Sequence, residues 1–211
     1  MIRLLLVDDH PVVRAGYQRL LEQDGDMTVV AQAGEVDEAC VLVAQHAPDL
    51  TITDLAMPGS GGLELIRRLR ERVADARVLV FSMHDSALLV GRAMELGARG
   101  FVTKSCAPDR LIDAVHEVMA GRRYLSPDLP QVASEGRADA GRFESLTARE
   151  FEIFRLLARG ESLADCARSL HLSPKTVSNV QTLIKDKLGL STTAAMAHLA
   201  IRFGVISAEG A

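Results

Sequence analysis

The sequence predicts an α/β unit, a five-stranded parallel sheet doubly wound with helices, followed by a small all-α unit. Three observations predict it. From Ile2 to about Gly121, short apolar runs rich in β-formers alternate with longer helical stretches, the pattern of a parallel sheet covered on both faces. From Arg122 to Glu144 that pattern fails, because "RRYLSPDLPQVASEGRADAGRFE" holds two prolines, two glycines and little apolar periodicity, which reads as a linker. Beyond it only helical periodicity returns. The expected division is residues 1–121, a linker of 122–144, and residues 145–211.

In chain order, a strand from Arg3 to Val7 leads to a helix from Pro11 to Gln23, and one from Thr28 to Gln32 to a helix from Val36 to His46. The third strand, Leu50 to Thr53, precedes a helix from Gly62 to Arg72; the fourth, Arg77 to Ser82, one from Ala87 to Leu96. The fifth, Gly100 to Thr103, precedes a helix from Pro108 to Ala120. In that helix Leu111, Ile112, Val115, Val118 and Met119 make one apolar stripe fit to pack on a sheet. The second unit opens at "LTAREF", where Thr147 and Glu150 are spaced as a capping box and Leu146 and Phe151 as a hydrophobic staple. "SLADCARSLHLSPKTVSNVQTLIKDKLGL" then reads as helix, tight turn, helix. Ser162 caps the first; Ser173 caps the second, with Pro174 at the position where a missing N–H costs nothing. Val177, Val180, Ile184 and Leu188 form the second helix's buried stripe. A last helix runs from Thr193 to Phe203.

With 211 residues, 48% of them hydrophobic, the chain can bury two modest cores. Its net charge of −4 is unevenly spread, since from Leu146 onward eight Lys/Arg face six Asp/Glu and the acidity lies in the first 145 residues. Cys40, Cys106 and Cys166 lack metal-ligand spacing and read as reduced structural thiols. No apolar run approaches the ~18 residues of a membrane helix, so a soluble, cytoplasmic protein with no membrane contact is expected.

Parallel sheets place their sites beyond the carboxyl ends of the strands. There stand Asp8 and Asp9 after the first strand, Asp54 after the third, Ser82 at the end of the fourth and Lys104 after the fifth. Three converging carboxylates repel one another unless a cation joins them, and oxygen donors of this kind suit Mg²⁺. A metal beside a lone carboxylate, with a lysine and a hydroxyl opposite, suits phosphoryl transfer. Asp54 is the natural acceptor, with Lys104 balancing the phosphoryl charge and Ser82 hydrogen-bonding one of its oxygens. His10 has no partner histidine and reads as a loop or helix-start residue.

By "VDDH", "TDLAMPGSGGLEL", "VLVFS" and "GARGFVTK", residues 1–121 resemble the flavodoxin-like receiver domain of a two-component response regulator. The resemblance implies that a sensor histidine kinase phosphorylates Asp54, with Mg²⁺ held by Asp9, Asp54 and the Ala56 carbonyl and by Asp8 through water. It also implies that Ser82 moves toward the phosphoryl group, that Phe101 is an aromatic switch, and that Ala56 and His84 stand where phosphate lifetime is tuned. Ser105 departs from the family's usual proline, so no cis peptide is expected there.

On the second helix of the turn, Lys175, Ser178, Thr182 and Lys185 share the face opposite the apolar stripe, flanked by Asn179 and Gln181. Such a face can enter a major groove, lysines on phosphates and amides or hydroxyls on base edges. Through "LTAREFEIFRLLARG", "SPKTV", "KDKLGL" and "FGVI", this unit resembles the LuxR-type (NarL/FixJ) DNA-binding domain. That resemblance adds Thr176 to the residues facing double-stranded DNA and makes the last helix, through Ala194, Ala197 and Ala200, the contact of a homodimer on DNA. Ser178 and Val180 stand where many members carry a basic residue and a histidine.

The expectation is thus a transcription regulator switched by phosphorylation rather than a small-substrate enzyme. Phosphatases with an aspartyl intermediate need a second Asp two residues after the nucleophile, and that place is Ala56. The alternative is a regulator independent of phosphorylation, or an interaction module that no longer binds DNA.

Overall fold

A computed structural model of the chain describes residues 1–57, 61–73, 75–129, 143 and 145–206. The first compact unit comprises Met1–Asp85 and Val90–Leu129. Through residue 129 the elements are β1 (Ile2–Val7), α1 (Pro11–Leu21), β2 (Met27–Ala33), α2 (Val36–His46), β3 (Leu50–Thr53), α3 (Gly61–Arg72), β4 (Val78–Ser82), α4 (Ala87–Glu95, of which the unit takes the part from Val90), β5 (Gly100–Thr103), α5 (Asp109–Met119) and β6 (Tyr124–Leu125). All neighbouring strands are parallel, in the order β2-β1-β3-β4-β5-β6. The order reverses between β1 and β3, which opens a crevice at their carboxyl ends.

The sheet has six strands where five were expected, and the sixth comes from residues expected in the linker. Tyr124 N donates to the Arg99 carbonyl at 3.1 Å and Ser126 N to that of Phe101 at 2.9 Å, which satisfies the edge of β5. β6 can lie this close because Gly100 has no side chain; a Cβ there would stand 2.9 Å from the Tyr124 carbonyl oxygen.

One face of the sheet packs on α1 and α5. Leu4, Leu6, Ile52, Leu79, Phe81 and Val102 meet Leu111, Val115 and Val118 of the expected stripe, with Ile112 and Met119 at its margin. Each fully buried side chain of this kind contributes about 1.5–3 kcal/mol. α3 is set by a different constraint: a Cβ on Gly62 would fall 2.0 Å from the backbone oxygen of Asp54, so only glycine lets the helix start against the end of β3.

The second unit contains α6 (Ala148–Ala158), α7 (Leu163–Ser169), α8 (Pro174–Leu188) and α9 (Thr193–Arg202). The capping box forms as expected, with Glu150 N on Thr147 Oγ1 at 3.2 Å and Thr147 N on Glu150 Oε2 at 2.7 Å. Ser162 and Ser173 cap α7 and α8 through the backbone N–H of Asp165 and Thr176. Gly189 ends α8 in the left-handed region. Lys187 Nζ ties α8 to the start of α6 through both Glu150 carboxylate oxygens, at 2.8 and 2.7 Å. Phe143, also expected in the linker, is fully buried and meets Phe151, Phe154 and Phe203 edge-on. The other residues of 130–144 lie outside the described ones. Cys40, Cys106 and Cys166 are free thiols, and no described helix is long and apolar enough to cross a membrane.

Candidate functional site

The strand ends bring Asp8, Asp54, Ser82 and Lys104 together. Val7 pairs with Thr53 across β1 and β3, and Ser82 with Thr103 across β4 and β5, so the residues that follow emerge side by side. Asp54 is buried, and its oxygens are divided between two sets of donors. Oδ1 accepts from Leu55 N (2.6 Å), Ala56 N (3.1 Å) and Ser82 Oγ (2.7 Å); Oδ2 accepts from Lys104 Nζ at 2.6 Å. The same ammonium reaches Asp8 Oδ2 at 2.5 Å. Burial pushes the Asp54 carboxyl up, but the Lys104 charge and the Lys104, Ser82 and Ala56 hydrogen bonds outweigh it and hold it below the usual carboxylate range. Burial likewise pushes Lys104 down, and Asp54 and Asp8 together raise it above its ordinary value. Both groups are therefore charged at neutral pH.

Asp8 and Asp9 are arranged differently from Asp54. Asp8 Oδ1 accepts from His10 N at 2.8 Å, and the Asp8 carbonyl accepts from the Arg14 guanidinium. His10, set aside from sequence, turns its Nδ1 to within 3.1 Å of Asp8 Oδ1 and 2.9 Å of Asp9 Oδ1. The adjacency in "DDH" was the only signal for this. Asp9 Oδ1 is shielded from solvent and, apart from that close approach of His10 Nδ1, makes no hydrogen bond, so its acceptor capacity is left for a cation. Ligand atoms of Asp8, Asp9 and His10 lie within 4.8 Å of one another. Asp54 stands outside that group and joins it through Lys104. Carboxylate oxygens grouped in this way fit a hard divalent ion. Phe101 is fully buried within β5.

In the second unit, α8 buries Val177, Ile184 and Leu188 completely. Val180, expected in that stripe, is only half-buried, since at ~100° per residue it lies about 60° around the helix from Val177. Lys175, Thr176, Asn179 and Thr182 are exposed, while Ser178, Gln181 and Lys185 are half-buried. Three of these polar groups are used within the unit, the first being Thr176, whose Oγ1 lies 2.8 Å from Ser173 Oγ. Thr182 Oγ1 donates to the Ser178 carbonyl at 3.2 Å and Gln181 Nε2 to Thr193 Oγ1 at 3.3 Å. Between α7 and α8, His171 takes a positive φ of 53° and lets Leu172 N close on the Ala167 carbonyl at 2.8 Å. A capped, two-helix turn with a polar outer face results.

The description of the response regulator receiver domain family matches residues 4–116, and that of the bacterial regulatory proteins, luxR family, matches residues 144–200. The chain belongs to the LuxR-family response regulators. This response regulator is 41% identical over 208 residues to the transcriptional activator protein ExaE of Pseudomonas putida, covering 96% of this chain and 97% of that one. It is 34% identical over 213 residues to the response regulator UvrY of Escherichia coli strain K12, covering 99% and 98%. Among solved structures, RcsB of Salmonella enterica serovar Typhimurium bound to the rprA promoter with the phosphomimetic BeF3- shares 26% identity at a TM-score of 0.68, covering 94% of this chain and 98% of that one. The chain is thus a two-component transcription regulator, pairing a receiver unit with a LuxR-type DNA-binding unit.

One expected residue of the response regulator is placed elsewhere. Ala200 is fully buried, because α9 turns Met196, Leu199 and Ala200 into its own unit's core. It is not free to meet a second copy. The outward side carries exposed Ala194, half-buried Ala197 and the exposed Ile201. The peptide after Lys104 is trans.

Proposed function

We propose that this response regulator accepts a phosphoryl group on Asp54 from a sensor histidine kinase, and that the modification controls dimerisation and sequence-specific binding to double-stranded DNA in the cytoplasm. The observation that carries the reading is the buried ion triad in which one ammonium spans Asp8 and Asp54. An Asp54 oxygen attacks the phosphorus of a phosphohistidine; the P–O bond forms as the P–N bond breaks, and the departing imidazole takes a proton from the medium. Lys104 then shifts its hydrogen bond from the carboxylate to a phosphoryl oxygen, and Ser82 Oγ turns from Asp54 Oδ1 to another. Asp8, Asp9, Asp54 and the Ala56 carbonyl would hold Mg²⁺, which when bound neutralises charge on the transferring group. Phe101 follows Ser82 in repacking, so phosphorylation shifts the population toward a second receiver conformation.

For the second unit, support comes from the exposed Lys175, Thr176 and Asn179 beside Ser178, Gln181, Thr182 and Lys185, and from RcsB having been captured on a promoter. A dimer contact on α9 would use Ala194, Ala197 and Ile201. Incubation with Mg²⁺ and acetyl phosphate, read by intact mass, is expected to add one phosphoryl group to the wild type and none to Asp54→Ala. Absence of the adduct in wild type would sink the proposal.

A further inference from the structure

Lys104 is held from behind as well as in front. β5 ends at Thr103, and Lys104 and Ser105 begin the turn that Cys106 N closes on the Thr103 carbonyl at 3.3 Å; the Lys104 ammonium reaches the acids, while the hydroxyls of Thr103 and Ser105 share a different partner. That partner is the carboxylate of Asp128. Asp128 Oδ2 accepts from Thr103 Oγ1 and lies 3.5 Å from Ser105 Oγ; Oδ1 accepts from Ser126 Oγ. Thr103 and Ser126 are buried, so their hydroxyls have little water to turn to, whereas the carboxylate itself is exposed. β6 delivers Asp128 to this point through the Ser126 N bond to the Phe101 carbonyl, and Leu129 N closes the turn on the Ser126 carbonyl at 3.1 Å. A proline in place of Ser105 would have no hydroxyl to offer, so the departure from the family pattern falls on a residue that faces Asp128.

Resting on Asp54 being the phosphoacceptor, we propose that Asp128 is a positioning residue for phosphoryl transfer: it clamps the backbone on both sides of Lys104 and so fixes the ammonium between Asp8 and Asp54. The Lys104 backbone N–H bonds the Ser82 carbonyl at 2.9 Å, and among the described residues those just after the strand end have no neighbouring strand to pair with. A clamp that reaches them through side chains supplies what the ladder does not. It also links the position of Lys104 to the segment that leads out of the sheet.

The test compares full-length wild type with Asp128→Ala, Asp128→Asn and Thr103→Val by two readouts. The first is the NMR signal of the Lys104 side-chain ammonium, whose slow proton exchange reports its hydrogen bonds to Asp8 and Asp54. The second is the acetyl phosphate concentration dependence of Asp54 phosphorylation. Asp128→Ala and Thr103→Val are expected to speed ammonium exchange and to lower the maximal phosphorylation rate about tenfold, below the ~10² that an ångström of misplacement costs a reacting group. The acetyl phosphate concentration at half-maximal rate stays put, and Asp128→Asn, which keeps an acceptor oxygen, recovers most of the rate. Unchanged exchange and rate in both Asp128→Ala and Thr103→Val overturn the proposal, as does a rate loss fully matched by loss of folded protein. Faster ammonium exchange in a protein whose wild type takes no phosphoryl group upholds the clamp and overturns the phosphoacceptor reading instead.

Discussion

The receiver's strand ends and the outer face of α8 both carry charged and polar groups, but the two regions treat them in opposite ways. At the strand ends Asp8, Asp54 and Lys104 are buried and satisfied by one another, from β1, β3 and β5. On α8, Lys175 and Asn179 are exposed and make no side-chain hydrogen bond among the described residues. A buried charge must be answered inside the protein, so its partners are fixed by the fold. An exposed one is answered by water until a ligand arrives.

The widest separation between the two regions should come from Lys104→Met. Removing one member of a buried ion group costs about 3–5 kcal/mol, whereas Lys175→Met should stay within about 0.5 kcal/mol; urea unfolding measures both. The pH dependence sharpens this. In the wild type Asp54 is held below its ordinary value, so its contribution is present above about pH 4 and fades as pH falls through the depressed folded value. Lys104 is raised, so its contribution is complete below about pH 10 and fades as pH rises through the folded value. Without Lys104, burial still raises the Asp54 carboxyl and only the Ser82 and Ala56 hydrogen bonds remain to lower it; the variant should therefore lose less stability than the wild type as pH falls through the carboxylate range.

A smaller effect is expected from Gly62→Ala. Its methyl would overlap the Asp54 carbonyl oxygen, and overpacking of this sort costs about 1–3 kcal/mol. Phosphoryl uptake should fall with it. Gly160→Ala in the second unit makes a useful contrast, because a Cβ there meets nothing within 4 Å. Its cost is limited to the positive φ, about 1 kcal/mol. If Gly62→Ala costs no more than Gly160→Ala, the contact of α3 with the Asp54 backbone is not what seats that helix.

The smallest change in stability, and the most specific in function, belongs to Lys175→Ala. It should weaken DNA binding across all sequences and lower the dependence of log affinity on log salt by about 0.9, the share of one phosphate contact. An unchanged slope would remove Lys175 from the interface.

The same contrast explains what the sequence made legible. β3, β5 and α2 were found to the residue because their apolar runs have sharp ends, and the acids just after the strands followed from topology. β6 escaped because two residues carry no period, one of them exposed Leu125. Phe143 escaped because a single aromatic among small and polar neighbours gives no pattern. His10 was discounted for want of a histidine partner, yet its partners were the two residues beside it. On α8 and α9, spacing marked a stripe but not its edge, so Val180 was placed too deep and Ala200 too far out.

The ion triad also sets a schedule. Lys104 meets Asp54 across 50 residues and Asp8 across 96, and chains fold from the N-terminus as they leave the ribosome. A nascent chain that has exposed Asp54 but not yet β5 carries that carboxylate without its counter-charge. The charges of the site are therefore balanced only when the last strands of the sheet arrive, and until then two carboxylates wait on a lysine still to be made.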